Sequence, residues 1–171
     1  MGVHATALTA ALTIFAGSFL SAAHAAATRP SPRPAPAVSS GSCSFKSTEI
    51  AAASSFDQSI SASFVRLGDA GSITFTQDKT GCVGGTFFAN AGNGDPDDHI
   101  LLQILLDGTP CAPLTSGYIF ANSGPDVTSH SAAFFCGARI APGKHRVQVQ
   151  YASGLGGDAQ IFQRTLEVTH E

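Results

Sequence analysis

Residues of the types that bind metal ions are concentrated in one loop of this sequence, between Asn90 and His99. Oxygen-bearing side chains alternate along it, and proteins bind calcium through about six to eight oxygens of carboxylates, amides, carbonyls and water. The pattern indicates a calcium site, and calcium is the one cofactor that the sequence suggests. The candidate ligands are Asn90, Asn93, Asp95, Asp97 and Asp98. The alternative is a solvated turn in which Asn and Asp side chains bind their own backbone amides.

The loop is not an EF-hand, although its alternating oxygen ligands resemble the start of one. Counting from Asn93, the glycine expected at the sixth position is Asp98, and the glutamate expected at the twelfth is Ile104. No helical pattern flanks the loop on either side. A calcium site here would therefore be a looser one, built on a loop between strands.

Catalytic motifs are weak in this sequence. It contains no G-x-S-x-G nucleophile elbow and no H-E-x-x-H zinc pattern. The histidines of its C-terminal part are far apart, at His99, His130, His145 and His170. Each is more typical of a strand or loop histidine than of a catalytic base, so no catalytic residue is predicted. A small secreted hydrolase is an alternative, and it would need a cleft joining a histidine to a serine or a carboxylate.

The cysteines are Cys43, Cys82, Cys111 and Cys136. Zinc sites usually bring cysteines in closely spaced pairs, and here no two lie within 20 positions of each other. Disulfides are therefore the favoured interpretation. Sequence alone leaves three pairings open, of which we favour Cys43 with Cys82 and Cys111 with Cys136.

The first 25 residues predict an export signal. An apolar run from Ala5 to Leu20 precedes small residues that end in Ala23-His24-Ala25, a cleavage pattern. Because no Lys or Arg precedes the run, an uncleaved membrane anchor is the alternative, but the run is short for a hydrocarbon core of about 30 Å. We expect a secreted protein, extracellular or periplasmic, in a compartment where disulfides persist.

Residues 26–42 form a segment rich in Pro, Ala and Ser that holds four prolines. Such a composition cannot bury a core, and it predicts a disordered, partly polyproline II tether. Residues 43–171 have the length of one domain. The predicted organisation is a signal peptide over 1–25, a tether over 26–42 and one β-sandwich domain over 43–171.

The domain has the residue pattern of β-strands. Apolar and polar residues alternate between turn signals such as Asp107-Gly108 and Pro142-Gly143. The predicted strands lie near 60–67, 72–77, 82–89, 99–106, 117–121, 131–136, 144–151 and 159–169. Helix-favouring residues are confined to 49–53, which is too short to change the class. The pattern predicts an all-β fold, a single antiparallel β-sandwich of jelly-roll or immunoglobulin-like type with about eight strands and two disulfides.

Two features do not fit simple alternation. Arg164 interrupts the apolar side of the last strand, so it should lie near an edge or pair with a carboxylate. Phe87-Phe88 and Phe134-Phe135 are adjacent, and neighbours in a strand face opposite sides. One phenylalanine of each pair must therefore face a covering loop, a second sheet or another protomer.

The composition argues against several classes of binding partner. The formal net charge is −3 and the basic residues are scattered, so we expect no nucleic acid and no membrane insertion. The absence of Trp and the presence of only two Tyr argue against a stacking surface for sugars. The sequence predicts a secreted, non-catalytic protein for binding or surface interaction, through an unknown extracellular ligand or self-association. The alternatives are a structural subunit of an extracellular oligomer and the small hydrolase.

Overall fold

The computed structural model describes residues 43–114, 118–121 and 124–171. The predicted signal peptide (1–25) and tether (26–42) lie outside these ranges, so both stay predictions. Within them, no helix has the length and apolar character needed to cross a membrane.

The described residues form eleven strands, and every pairing between strands is antiparallel. The predicted all-β class is therefore confirmed. The strands are β1 (Ser47–Ala53), β2 (Asp57–Ser59), β3 (Val65–Arg66), β4 (Ser72–Gln77), β5 (Gly81–Asn93), β6 (Ile100–Leu106), β7 (Thr109–Pro110), β8 (Tyr118–Ala121), β9 (Gly124–Ile140), β10 (Gly143–Ser153) and β11 (Ala159–His170).

The strands divide between two packed sheets, which confirms the predicted β-sandwich. The first sheet has the order β1-β11-β5-β9, with β2 also paired to β11. The second has the order β3-β10-β6-β7, with β4 paired to β10 and β8 paired to β6. The core lies between the sheets, where Phe87 and Leu166 from the first and Leu102 and Val149 from the second are fully buried.

Burial alternates along β6 although its residue types do not. In β6 the sequence is almost wholly apolar, yet Ile100, Leu102, Ile104 and Leu106 are buried and the residues between them are half-buried. β6 lies between β10 and the short strands β7 and β8, so its outer side is also partly covered. This explains why its residue pattern alone could not separate a strand from a buried helix.

Four strands, β1, β2, β3 and β7, differ from the sequence prediction. β1 covers the helix-favouring residues 49–53, and its pairing with β11 from Ser47 to Ala53 decides the strand conformation. The sequence predicted no strand at the positions of β2 and β7. The predicted strand at 60–67 was wrong in extent, because only Val65–Arg66 pairs, with β10.

The turn at Pro142-Gly143 connects different sheets. It joins β9 of the first sheet to β10 of the second, so the chain crosses the sandwich here and does not close a hairpin. Gly143 has a φ of 143°, a backbone conformation that residues with a Cβ rarely adopt.

Both disulfides are present, in the pairing favoured above. Cys43 is bonded to Cys82, which ties the start of the domain to β5. Cys111 is bonded to Cys136, which ties the segment after β7 to β9 of the opposite sheet. Two disulfides in one small domain are typical of an oxidising compartment.

Candidate binding site

The loop predicted to bind calcium folds as a series of side-chain-to-backbone turns. Asn93 Oδ1 accepts a hydrogen bond from the backbone N–H of Asp95 at 3.0 Å. Asp95 Oδ1 in turn accepts one from the N–H of Asp97 at 3.0 Å. Asn90 lies apart, within β5, where its amide is bonded to side chains of β9 and β11. The structure therefore separates Asn90 from the other four candidates.

Asp98 differs from the other acidic candidates, Asp95 and Asp97, because its side chain is fully buried whereas theirs are exposed. Its Oδ1 accepts the N–H of His99 at 2.6 Å and of Leu155 at 2.7 Å. Its Oδ2 accepts the N–H of Gly157 at 2.8 Å and the hydroxyl of Ser153. Burial raises the pKa of Asp98, but the four hydrogen bonds outweigh it and hold that pKa well below its ordinary value. Asp98 is an anionic anchor between two loops.

Calcium binding stays a prediction. Among residues 43–114, 118–121 and 124–171, no group of three or more His, Cys, Asp or Glu side chains is placed to hold a metal ion. Because protein donors already occupy both oxygens of Asp98, a calcium ion in this loop would depend on Asp95 and Asp97, which are exposed.

The calcium hypothesis predicts that millimolar calcium raises the Tm of the wild-type protein by roughly a few degrees, because the ion binds only the folded state. Asp95→Ala combined with Asp97→Ala should remove the rise. Thermal melts in calcium, in magnesium and in chelator measure it. A wild-type Tm that calcium leaves unchanged contradicts the hypothesis.

Arg164 is explained by a carboxylate partner and not by an edge position. β11 lies between β1 and β5, and the buried Arg164 guanidinium is 2.5 Å from Asp57 Oδ2. It also donates to the backbone carbonyls of Asp69 and Ser55 and to the Ser55 hydroxyl. The side chain therefore ties β2, the residues just before it and the segment before β4 to β11 of the first sheet.

His145 is held between two acceptors. Its Nδ1 lies 2.7 Å from Asp107 Oδ2 and its Nε2 lies 2.9 Å from the carbonyl oxygen of Ala141. The hydrogen bond to Asp107 raises the pKa of His145, burial lowers it in part, and the Ala141 carbonyl adds to the rise. Burial raises the pKa of Asp107, but bonds from His145 and the N–H of Arg146 lower it overall. Both partners are acceptors, so only the protonated ring can donate to both of them, and each ring nitrogen already has a partner within the protein.

These pKa shifts predict a pH window of stability. Because the pKa of His145 is raised in the folded state, its interaction with Asp107 stabilises the folded protein fully below the unfolded pKa of about 6.5. This contribution to the free energy of unfolding is lost as pH rises through the pKa of His145 in the folded state. Because the pKa of Asp107 is lowered, the His145–Asp107 interaction is lost on the acid side only below about pH 4. Because Asp107 is half-exposed, we expect a loss of about 1 kcal/mol or less in the free energy of unfolding between pH 6 and pH 9.

The matched variant for this window is His145→Gln. Its free energy of unfolding, measured by urea denaturation at each pH, should change less across the same range than that of the wild-type protein. Parallel pH profiles for the two proteins would mean that another group is responsible.

The other three histidines do not form a catalytic arrangement in the described part of the chain. His130 Nε2 lies 2.6 Å from Thr128 Oγ1, but no described carboxylate forms an ion pair with this ring. His170 is buried with its ring 4.5 Å from that of Phe75. His99 lies 3.9 Å from the Asp98 carboxylate, which is engaged elsewhere. Among the described residues, these three histidines therefore form no catalytic triad that would support the hydrolase alternative.

The adjacent phenylalanines divide as strand geometry requires. Phe87 and Phe134 are buried in the core, whereas Phe88 is 43% exposed. Phe135 is half-buried, and its backbone pairs with Ala112 in the segment that follows β7. A covering loop therefore accounts for Phe135, and Phe88 is left facing outward.

Phe88 lies in the interior of the first sheet and not at its rim. β5 is flanked by β11 and β9, and the residues opposite Phe88 are Thr165 and Ser131. Both neighbours are small and polar, so the ring stands above them. A second pair of rings lies on β11 and before β2, where Phe162 and Phe56 have centroids 4.9 Å apart.

A shallow depression of about 430 Å³ lies beside Phe88. Its lining includes Ala52, Ser54, Gln163 and Thr165. The register of β11 shifts between Phe162 and Arg164, which marks a β-bulge at Gln163. Bulges re-aim side chains, and this one turns the Gln163 amide toward the outer face of the sheet.

Polar side chains next to the depression are fixed by one another. Asn90 donates from Nδ2 to Gln163 Oε1 at 2.9 Å, and its Oδ1 accepts the Ser129 hydroxyl at 2.7 Å. The three side chains cross β11, β5 and β9. We call this surface, made of Phe88, the depression and the Gln163–Asn90–Ser129 row, the Phe88 face.

Sequence reasoning found part of this surface. The Phe87-Phe88 pair signalled that one ring must leave the core. Gln163, Thr165 and Ser129 carried no signal, because the bulge and the neighbouring strands that bring them together follow from pairing across the sheet. Asn90 was predicted to be a calcium ligand. Its side chain instead lies in this row, bonded to Gln163 and Ser129, and apart from the other candidate ligands.

Comparison with known proteins adds little to this geometry. No protein-family model matches the sequence, and no curated protein is similar to it. Two solved structures are similar in part. One is the CBM36-1 domain of a multidomain xylanase from the hindgut metagenome of Trinervitermes trinervoides, with 10% identity and a TM-score of 0.36 over 70% of this chain and 96% of that one.

The other is a family two carbohydrate esterase from Cellvibrio japonicus, with 18% identity and a TM-score of 0.29. That match covers 72% of this chain and 34% of the esterase. Both scores are too low to support a conclusion about ligand or activity, so the site must be interpreted from its own residues.

Proposed function

We propose that this protein is a secreted, non-catalytic β-sandwich that binds an extracellular ligand through the Phe88 face. The observation that carries the proposal is Phe88 itself, a large ring that is 43% exposed in the middle of a sheet. Aromatic rings stabilise complexes strongly when a partner covers them, and they gain nothing from exposure to water. The secreted location is supported by the two disulfides.

The chemistry of the face suits a ligand with both apolar and hydroxyl surfaces. Phe88 offers an apolar ring, and the amides of Gln163 and Asn90 are pre-positioned by their mutual hydrogen bond. Side chains that are already ordered lose less entropy on binding. Although the composition argued against a stacking surface for sugars, the exposed Phe88 ring supplies one aromatic surface, so a neutral polysaccharide is a suitable first probe.

The experiment compares Phe88→Ser with Ile119→Ser on an array of neutral glycans. Ile119 is 51% exposed on β8 of the other sheet, so it controls for the loss of a surface apolar side chain. Removing a central aromatic contact costs about 2 kcal/mol, or about thirtyfold in Kd. We expect Phe88→Ser to lose a ligand that the wild-type protein and Ile119→Ser retain.

A structural subunit is the alternative use of the same face. In that case wild-type protein self-associates in light scattering, Phe88→Ser is monomeric, and no glycan separates the two variants. A wild-type monomer with no ligand sensitive to Phe88→Ser contradicts both uses of the face.

A further inference from the structure

Charge is segregated between the two sheets of this protein. The six strands of the second sheet contain no Asp or Glu at all, although the whole chain has 12 acidic residues and a net charge of −3. The same strands carry Arg66, Lys144 and Arg146. The strands of one sheet of this acidic protein thus carry cations and no carboxylate; Asp107, whose carboxylate bonds to His145 and to the backbone N–H of Arg146, lies in the turn after β6.

The three cations lie on the outer side of that sheet. Val147 and Val149 of β10 are fully buried, so Lys144 and Arg146, which alternate with them, face outward and are exposed. Arg66 of β3 is exposed and stands opposite Gln150 of β10. With a rise of about 3.3 Å per residue, the cations form a line of about 20 Å along β10.

Amides and hydroxyls fill the space between the charges. Thr76 and Thr74 stand opposite Lys144 and Arg146 on β4, and Gln148 and Gln150 continue the outward side of β10. Arg146 donates to a hydroxyl, that of Ser72, at 3.1 Å. No ion pair in the described chain joins a carboxylate to any of the three cations. We call this strip of β3, β4 and β10 the cationic face.

We propose that the cationic face binds an acidic polysaccharide, a chain of sugars that carry carboxylates. Guanidinium and ammonium groups bind carboxylates, while the Gln and Thr side chains can exchange hydrogen bonds with sugar hydroxyls. The outward side of β10 and β4 has no aromatic side chain on which nucleic-acid bases could stack. This proposal is independent of the Phe88 face, which belongs to the other sheet.

The test measures binding of the disulfide-bonded protein to polygalacturonate in low salt, with fully methyl-esterified polygalacturonate as the uncharged probe of the same backbone. We expect binding to the acidic chain only, weakened as salt screens the charges. Lys144→Gln with Arg146→Gln should weaken it about tenfold, because two exposed ion pairs with the carboxylates of the polysaccharide are lost.

The matched control is Lys46→Gln with Arg139→Gln, which also removes two cations, one just before β1 and one on β9 of the first sheet. It should change the affinity by less than about twofold. Phe88→Ser should leave it unchanged, which separates this result from a failure of the proposed function. Equal losses in the two double variants overturn the proposal, as does equal binding of the methyl-esterified chain, single-stranded DNA or anionic vesicles. Circular dichroism of each variant verifies folding.

Discussion

Replacing Asp98 with asparagine is expected to lower the free energy of unfolding by about 3 kcal/mol and the Tm by about 10 °C. The Asp98 carboxylate accepts four hydrogen bonds, three from backbone N–H groups and one from the Ser153 hydroxyl. An amide at this position offers one oxygen and one N–H₂ group. The N–H₂ group would face the Gly157 N–H, which would lose its acceptor, and the Ser153 hydroxyl, which would have to rotate and accept instead of donating.

The effect is large because two of the backbone donors, the N–H groups of Leu155 and Gly157, belong to a loop far away in sequence. Leu155 and Gly157 follow β10, whereas Asp98 precedes β6. When the anchor is lost, the end of the sandwich that joins β5, β6 and β11 should open locally. Hydrogen exchange should then report faster exchange of the Leu155 and Gly157 amides before the core strands are affected.

Asp95→Asn is the matched control for this variant. Asp95 is exposed, and its carboxylate accepts the single N–H of Asp97 within its own turn. We expect a cost of about 0.5 kcal/mol or less in the same urea titration. Equal costs for Asp98→Asn and Asp95→Asn would contradict the role assigned to Asp98.

The pKa of Asp98 adds a pH dependence with a definite sign. Because the folded pKa is depressed, the stabilisation is present above the unfolded pKa of about 3.9 and is lost as pH falls through the folded value. Wild-type protein should therefore lose more stability than Asp98→Asn on acidification below about pH 4.

Replacing Arg164 with methionine is expected to cost about 3 to 4 kcal/mol, measured as the shift in urea midpoint at constant m-value. The wild-type guanidinium is fully buried and binds Asp57, two backbone carbonyls and the Ser55 hydroxyl. Methionine fills a similar volume but donates no hydrogen bond. The carbonyls of Ser55 and Asp69 would then lose their donors.

Two further variants separate charge from geometry at this position. Arg164→Lys keeps the charge, yet one ammonium cannot reproduce the fork that reaches all four acceptors, so we expect an intermediate loss. Asp57→Asn should cost less than Arg164→Met, because asparagine keeps an oxygen that can accept from the guanidinium and the bonds to Asp69 and Ser55 remain. If Arg164→Met unfolds at the wild-type urea concentration, the guanidinium does not stabilise these segments.

The sequence predicts more of the fold than of the site. Strict alternation, as in β10 and β11, is a local property, so it marks strands and their buried sides reliably. β1 was missed because Ala-rich residues have no alternation and become a strand only beside β11. The break in alternation at Arg164 correctly signalled a carboxylate partner, but the partner lies 107 positions away at Asp57.

The loop around Asp98 also shows what a local residue pattern cannot predict. Five oxygen-bearing residues in ten positions gave a reasonable ligand pattern, and the pattern contained no information about burial. The structure removes Asn90 from the group and gives the oxygens of Asp98 to protein donors. The sequence shows which residues are of a type that can bind a metal ion. Whether a metal ion or backbone amides occupy their oxygens depends on which loop folds over the site.

By itself the sequence determined an all-β domain with two disulfides, and it required that one ring of Phe87-Phe88 leave the core. Those conclusions follow from properties of neighbouring residues, because alternation fixes which side of a strand each one faces. Tertiary structure decided that Phe88 stands in the middle of a sheet, that the acidic residues are excluded from the second sheet, and that Arg66 lines up with Lys144 and Arg146. These depend on pairing between strands distant in the chain, which no local pattern contains.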